Sequence, residues 1–269
     1  MKTQISIIGC GWLGLPLAKT LIKEGFAING STTSKDKLNA LETLQIKPYL
    51  VILNETNISG EYSKFLTGSE TVIINIPPGL RKSPTKNHVA EIKHLMQAIE
   101  KQSIKNVLYI SSTSVFKDQV EFPIITTKTA PNTTTNNTKQ LIEIEQMLET
   151  NSNFNTTILR FGGLIDQERH PSKILSGKNN VSNPEAPINL IHKTDCIAII
   201  LSIIKKELWN VKLNAAYPKH PTKKDYYSTY CKRENLPLPK YDSSKESIGK
   251  IIDSTTLVQL LNYSFQVEP

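Results

Sequence analysis

The feature that most constrains this chain is the hexapeptide Gly9-Cys10-Gly11-Trp12-Leu13-Gly14, which closes the apolar run Ile5-Ser6-Ile7-Ile8. An amphipathic stretch from Leu15 to Lys23 follows directly. Glycines spaced in this way between a strand and a helix answer a specific physical demand. The first permits a tight turn, the second lets the backbone approach a pyrophosphate, and the third lets the helix pack close on the strand. The helix N-terminus adds N–H groups and partial positive charge. A purely structural turn has the same spacing, but the strand–turn–helix order within a βαβ-sized unit favours dinucleotide binding.

Lys2 before an apolar run, with Ile7-Ile8-Gly9-Cys10 shaped like a lipoprotein cleavage site, invites a secretory reading. The run is shorter than the roughly 7–15 residues of a leader core, and Pro16 suits a first helical turn. The expectation is a cytoplasmic protein. The sequons at Asn54, Asn57, Asn132 and Asn155 then reflect an Asn/Thr-rich composition. No apolar stretch approaches the roughly 20 residues of a membrane span.

A chain of 269 residues can bury a full core, as one large domain or a large domain with a smaller lobe. Cys10, Cys196 and Cys231 are too widely spaced for a disulfide framework or a zinc site and fit a reducing compartment. No metal is expected. The net charge of +8 comes from dispersed lysines without interleaved aromatics, so nucleic acid is not an expected partner. A phosphorylated cofactor or substrate, or a solvated lysine-rich surface, accounts for it.

Strand and helix signals alternate through the first two thirds. Strand-like runs cover 4–8, 26–30, 48–53, 71–76, 107–111 and 156–160, and helical periodicity covers 15–24, 34–44, 86–102 and 138–150. Several strands are apolar throughout, as when both sheet faces are covered. The pattern implies an α/β, Rossmann-type, doubly wound parallel sheet over residues 1–165. From Asp166 the alternation breaks down. Strands at 188–192 and 212–217 flank an apolar helix at 194–204, and a last helix lies near 254–261. Residues 166–269 are expected to form a smaller substrate lobe, with 188–217 returning to the sheet.

Ligands in such sheets sit at the carboxyl ends of the strands. After the second strand stands Ser31-Thr32-Thr33-Ser34-Lys35, where NAD-preferring sites place a carboxylate for the ribose 2′-hydroxyl. Hydroxyls and a lysine suit a 2′-phosphate, so NADP is expected over NAD; Ser34 as a helix cap is compatible with either. After the fourth strand, Asn75-Ile76-Pro77 makes a rigid turn beside the cofactor's path. After the fifth, Ser111-Ser112-Thr113-Ser114 puts four hydroxyls at the end of a buried strand, facing a polar site or capping the strand end.

These residues resemble the extended short-chain dehydrogenase/reductase superfamily, its NAD(P)-dependent epimerase/dehydratase group, and more narrowly an atypical, YeeZ-like member. The resemblance spans 9–16, 109–116, 158–165, 189–195 and 249–261. Leu159-Arg160-Phe161-Gly162-Gly163 is similar to the segment beside the nicotinamide, and Ile191-His192-Lys193-Thr194-Asp195 to the HVxD segment. The resemblance implies cofactor contacts from Gly9, Gly11, Trp12, Leu13, Gly14, Ser31, Thr32, Thr33, Lys35, Asn75, Ile76, Pro77, Ser111, Lys139, Phe161 and Gly162. It also implies a serine at Ser112, a ribose-anchoring lysine at Lys139, and a proton-transferring tyrosine four residues before that lysine.

That position is Thr135. A phenol titrates near pH 10 and can be tuned downward; an aliphatic hydroxyl is far too weak an acid for the same role. Tyr241-Asp242-Ser243-Ser244-Lys245 repeats the spacing, but in a Pro-flanked loop far downstream, and is read as chance. Among the histidines, His192 is read as structural and His220 as a turn residue. Arg169 and His170, on the loop after the sixth strand, join Thr113 as substrate-facing candidates.

The leading expectation is an oxidoreductase or epimerase/dehydratase-type enzyme acting on a nucleotide-sugar or similar hydroxylated or carbonyl substrate. Its catalytic set would be Ser112, Thr135 and Lys139. The rival is a catalytically silent NADP-binding or redox-sensing module. The oligomeric state is open, with a homodimer compatible.

Overall fold

The computed structural model describes residues 2–80 and 83–269. The first βα unit is β1 (Gln4–Ile8) followed by α1 (Gly14–Lys23), whose buried residues Gly14, Leu17, Ala18 and Leu21 form one helical stripe. Then come β2 (Ala27–Thr32), α2 (Leu38–Glu42), β3 (Lys47–Leu53), β4 (Ile58–Gly60), α3 (Tyr62–Leu66) and β5 (Thr71–Ile74). Next are α4 (His88–Lys101), β6 (Asn106–Ser112), β7 (Ile124–Ile125), α5 (Asn136–Glu149) and β8 (Asn155–Phe161). The remainder holds β9 (Gly163–Ile165), α6 (Pro171–Leu175), β10 (Leu190–His192), α7 (Lys193–Lys205), β11 (Lys212–Ala215), α8 (Lys223–Arg233), β12 (Ile251–Ile252) and α9 (Thr255–Leu261).

Eight strands form one sheet in the order β11-β8-β6-β5-β1-β2-β3-β4. The pairs β1–β2, β1–β5, β2–β3 and β5–β6 are parallel, and β4 adds an antiparallel edge to β3. This is the Rossmann-type α/β fold. The strand order reverses between β1 and β5, so the loops after those two strands diverge to opposite faces and leave a crevice. Ile5, Ile7 and Ile8 of β1 and all four residues of β5 are buried, in keeping with a sheet covered on both faces. The buried polar residue of β1, Ser6, is satisfied: its Oγ donates to the Phe65 carbonyl at 2.6 Å.

The chain divides into two compact units, neither contiguous in sequence. The first holds residues 1–112, 134–159 and 197–212; the second holds 113–133, 160–196 and 213–269. The second unit has its own apolar cluster of Ile165, Ile188, Leu190 and Tyr227 and two small parallel ladders, β9–β10 and β7–β12.

The helix expected over 34–44 is shorter: a 3-10 turn at Lys35–Lys37 precedes α2. Helix α8 was not expected, because KKDYYSTYCKR is polar with only Tyr227 and Cys231 buried. Its start was nonetheless written in the chain. Thr222 caps it, its Oγ1 accepting from Asp225 N–H at 3.1 Å, just after Pro221. No helix among the described residues is long and apolar enough to cross a membrane.

Candidate functional site

Each glycine of the hexapeptide has a different job. Gly9 has φ +97°, and a Cβ there would stand 2.5 Å from the Asn75 carbonyl oxygen. At Gly14 a Cβ would fall 2.1 Å from the Gly9 carbonyl oxygen, so only glycine lets α1 start this close to β1. At Gly11 a Cβ would meet nothing within 4 Å. Two glycines are therefore required by the protein's own packing, and the third faces open space. Asn75, on the loop after β5, ties the crevice together by donating its Nδ2 to the Gly9 carbonyl at 3.2 Å. No side chain caps the N-terminus of α1, and its N–H dipoles favour an anion.

Above this turn lies a cavity of about 320 Å³. Gly9, Cys10 and Gly11 line it, with Ser31, Thr32, Thr33 and Lys37 after β2, Val51 and Leu53 of β3, Ile76 and Pro77 after β5, and Lys86, His88 and Glu91 at the start of α4. The structure thus gathers Gly9, Gly11, Ser31, Thr32, Thr33, Ile76 and Pro77 from the expected set. Trp12, Leu13 and Gly14 do not line it: Leu13 is the N-cap residue of α1, which begins at Gly14.

Several expected contacts are arranged differently. Ser31 is buried, and its Oγ accepts from Gly9 N–H at 2.9 Å, bracing the turn. Thr32 Oγ1 accepts from Ser34 N–H at 3.1 Å. The cation of this segment that lines the cavity is Lys37; Lys35 is exposed and does not. One 3-10 turn separates the two, which spacing alone does not reveal. Cys10 lines the cavity, but burial pushes its thiol up to about 12, so it stays protonated near neutrality.

Sequence reasoning passed over Lys86, His88 and Glu91. The buried stripe of α4 runs His88, Glu91, Ile92, Leu95, Ala98 and Ile99. Its apolar part marks the sheet-facing side; the two polar residues at the head of the stripe are the signal that was available. Glu91 Oε2 lies 2.8 Å from Lys86 Nζ and 2.8 Å from His88 Nδ1. Burial lowers the His88 pKa below the usual imidazole value. The neutral ring then donates Nδ1–H to Glu91 and keeps a lone pair on Nε2, which has no partner among the described residues.

The expected catalytic residues do not line this cavity. Ser112 is half-buried at the end of β6, while Ser111 Oγ donates to the buried Glu145 of α5 at 2.6 Å. Thr135 is the exposed N-cap residue of α5, and its hydroxyl lies 2.5 Å from that of Thr138. Lys139 is exposed; its neighbour Gln140 faces α4, accepting from His88 N–H at 2.7 Å.

The second unit holds Thr113, Phe161, Gly162, Arg169 and His170. A cavity of about 490 Å³ here is lined by Asp166, His170, Lys173, His192, Tyr230 and Arg233, among others. Both nitrogens of His170 are committed. Nδ1 accepts from Ser172 N–H at 3.2 Å, so Nε2 carries the proton and donates to Tyr226 Oη at 2.9 Å. The ring stacks on Tyr230 with centroids 3.7 Å apart. Burial, with Arg233 and Lys173 nearby, lowers its pKa to about 4. Arg169 is exposed, its N–H donating to Asp166 Oδ1 at 2.6 Å.

His192 Nδ1 accepts from Thr194 N–H, and His220 Nδ1 lies 2.9 Å from the Ile188 carbonyl. Asp195 accepts from Tyr263 Oη (2.6 Å), Gln266 N–H (2.7 Å) and Val267 N–H (3.1 Å), holding the C-terminal segment. Tyr241 Oη donates to the Lys223 carbonyl. No group of His, Cys, Asp and Glu suited to a metal occurs among the described residues.

Comparison with known proteins places this geometry. Residues 9–204 match the family described as NAD(P)H-binding. The chain is 27% identical to protein YeeZ of Escherichia coli K12 over 265 residues, covering 98% of this chain and 96% of that protein. UDP-glucose 4-epimerase from Thermotoga maritima, solved with UDP-glucose, shares the fold with a TM-score of 0.79 at 13% identity, covering 99% of this chain and 94% of that one. UDP-glucuronic acid 4-epimerase from Bacillus cereus, solved with UDP-glucuronic acid and NAD, gives 0.79 at 15% identity, covering 99% and 95%. The glycine turn at a strand-order reversal, the matched family and the shared fold agree: this chain belongs to the NAD(P)H-binding family, and along nearly its whole length it is similar to protein YeeZ.

Proposed function

We propose that the chain binds NADP(H) in the glycine-loop cavity, in the cytoplasm, and that any chemistry on a nucleotide-sugar-like substrate proceeds without a tyrosine. One observation carries the binding reading. Gly11 is the loop glycine whose Cβ position is empty, so its missing side chain serves something other than the protein's own packing. The residues fit the group: a backbone turn for the pyrophosphate, and Thr32, Thr33 and Lys37 with no carboxylate on that segment's cavity face for a 2′-phosphate. Glu91, the carboxylate in the cavity wall, is held by Lys86.

When bound, the nicotinamide supplies or accepts a hydride. The chain's own task is to orient the substrate and move a proton. Ser112 is suited to hold a substrate hydroxyl and Lys139 a ribose. Thr135 can donate or accept a hydrogen bond but does not serve as a base near neutrality. General acid–base catalysis is worth about 10²–10⁴ in rate, so turnover of UDP-glucose is expected to be feeble beside firm cofactor binding. The silent-module reading is favoured by a specific pair of observations: the Thr135 hydroxyl is engaged with Thr138, and His170 has no free nitrogen.

Calorimetry with NADP and NAD, and cofactor-linked assays with UDP-sugars, test this. NADP is expected to bind several-fold tighter than NAD; equal or tighter NAD binding removes the NADP assignment. Thr135→Tyr is expected to raise a weak activity. Robust turnover by the unaltered chain that also survives Ser112→Ala overturns the catalytic reading, and no turnover in either form leaves the silent module.

A further inference from the structure

The cavity wall formed by α4 carries polar groups that the proposed cofactor contacts do not use. Glu91 is 4% exposed and lines the cavity. Both of its partners, Lys86 and His88, sit on Oε2, which leaves Oε1 without a partner among the described residues. His88 is fully buried, and its Nε2 is likewise unpartnered there. With Nδ1–H donated to Glu91, that nitrogen is an acceptor too. The buried Nε2 is therefore an unmet acceptor, and Glu91 Oε1, on a residue that lines the cavity, is an acceptor that a ligand's N–H or O–H can satisfy.

What can supply it is limited by the rest of the wall. A nearly buried carboxylate repels phosphate, so the anionic parts of a dinucleotide belong at the glycine turn and at Lys37. Val51, Leu53, Ile76 and Pro77 give the same cavity apolar sides suited to a flat ring. A flat ring bearing an exocyclic amino group meets both demands. We propose that Glu91, positioned by Lys86 and His88, selects a 6-aminopurine base, so that the chain distinguishes adenine dinucleotides from their 6-oxopurine counterparts. A 6-oxo group would turn lone pairs toward the carboxylate. The inference rests on the reading of this cavity as the dinucleotide site.

The test compares NADP with nicotinamide hypoxanthine dinucleotide phosphate, in which the 6-amino group is replaced by an oxygen. The unaltered chain is expected to bind NADP about tenfold or more tightly than the hypoxanthine form, the worth of one hydrogen bond to a charged group. Glu91→Gln, whose amide can turn an N–H toward the 6-oxo group, is expected to bring the two affinities within about threefold. Circular dichroism and Tm establish that this variant is folded. Should it not fold, Glu91→Asp keeps the charge that Lys86 and His88 need, withdraws it by one methylene, and is expected to reduce the preference.

Equal affinities in the unaltered chain overturn the inference and leave cofactor binding standing; so does a folded Glu91→Gln or Glu91→Asp that keeps the full preference. Failure of both dinucleotides to bind overturns the cavity reading itself, and this inference with it.

Discussion

Two cavities of the molecule, one in each unit, differ in what their polar groups are doing. In the larger one, within the second unit, the protein satisfies itself. His170 is bonded through both nitrogens and stacked on Tyr230, Asp166 takes backbone N–H groups from Glu168 and Arg169 together with Lys193, and Arg233 lies over Tyr230 and against Glu234. In the smaller one, within the first unit, the protein stops short. Gly11 faces empty space, and among the described residues His88 Nε2 has no donor while both partners of Glu91 sit on its Oε2. Unmet bonding capacity separates a site awaiting a ligand from one that is structurally complete, and volume does not: 320 Å³ against 490 Å³ ranks them the other way.

The sharpest way to break this contrast lies within one loop. Gly14→Val drives a side chain into the Gly9 carbonyl and should destabilise the fold by several kcal/mol. Gly11→Val should leave Tm nearly unchanged while reducing NADP affinity by more than about 100-fold. A folded Gly11→Val with undiminished affinity in calorimetry would falsify the phosphate site. In the second unit the comparable blow is structural. Asp195→Ala removes the acceptor of three hydrogen bonds from the C-terminal segment and should cost about 2–4 kcal/mol in urea unfolding. NADP affinity changing more than stability would mean that this region is no longer merely architectural.

A smaller effect is expected from Lys37→Ala, which should lower the NADP-over-NAD preference about fivefold by removing one cation from the cavity rim. If Lys35→Ala does so and Lys37→Ala does not, the rim has been misassigned. The smallest effect concerns pH. The folded pKa of His170, about 4, lies below the ordinary imidazole value of 6.5. Between those values the unfolded chain holds more protons, so stability is full above about pH 6.5 and falls as the pH drops toward 4. His88 shifts in the same direction and contributes to the same loss. Thermal melts from pH 7 to 4.5 should show a shallower decline in His170→Gln; an identical decline would assign the acid sensitivity elsewhere.

Much of the first unit was legible in the chain. The run Ile5–Ile8, the glycine spacing and the Leu17, Ala18, Leu21 stripe specify a strand, a turn and a helix through neighbours only a few residues apart. Each rule involved is local: a period of two, a period of 3.6, a Cβ that does not fit. The hydroxyl-rich end of β2 was equally plain. The identity of its cavity-lining cation was not, because a single 3-10 turn put Lys37 where Lys35 was expected.

Tertiary structure alone decided which polar groups meet. Asn75 and Gly9 are 66 residues apart and adjoin because β5 pairs beside β1. Glu91 and His88 read in sequence as the head of a helix stripe; only the packing of α4 against β3 and α5 made them a buried pair with acceptors left over. His170 reads in sequence as a substrate-facing residue on a loop, and Tyr226 and Tyr230 of α8, more than fifty residues later, hold it. The sequence determined the elements and the glycine turn because those depend on short-range sterics and periodicity. The bonding state of each side chain depends on partners brought from far along the chain, and that only the folded structure supplies.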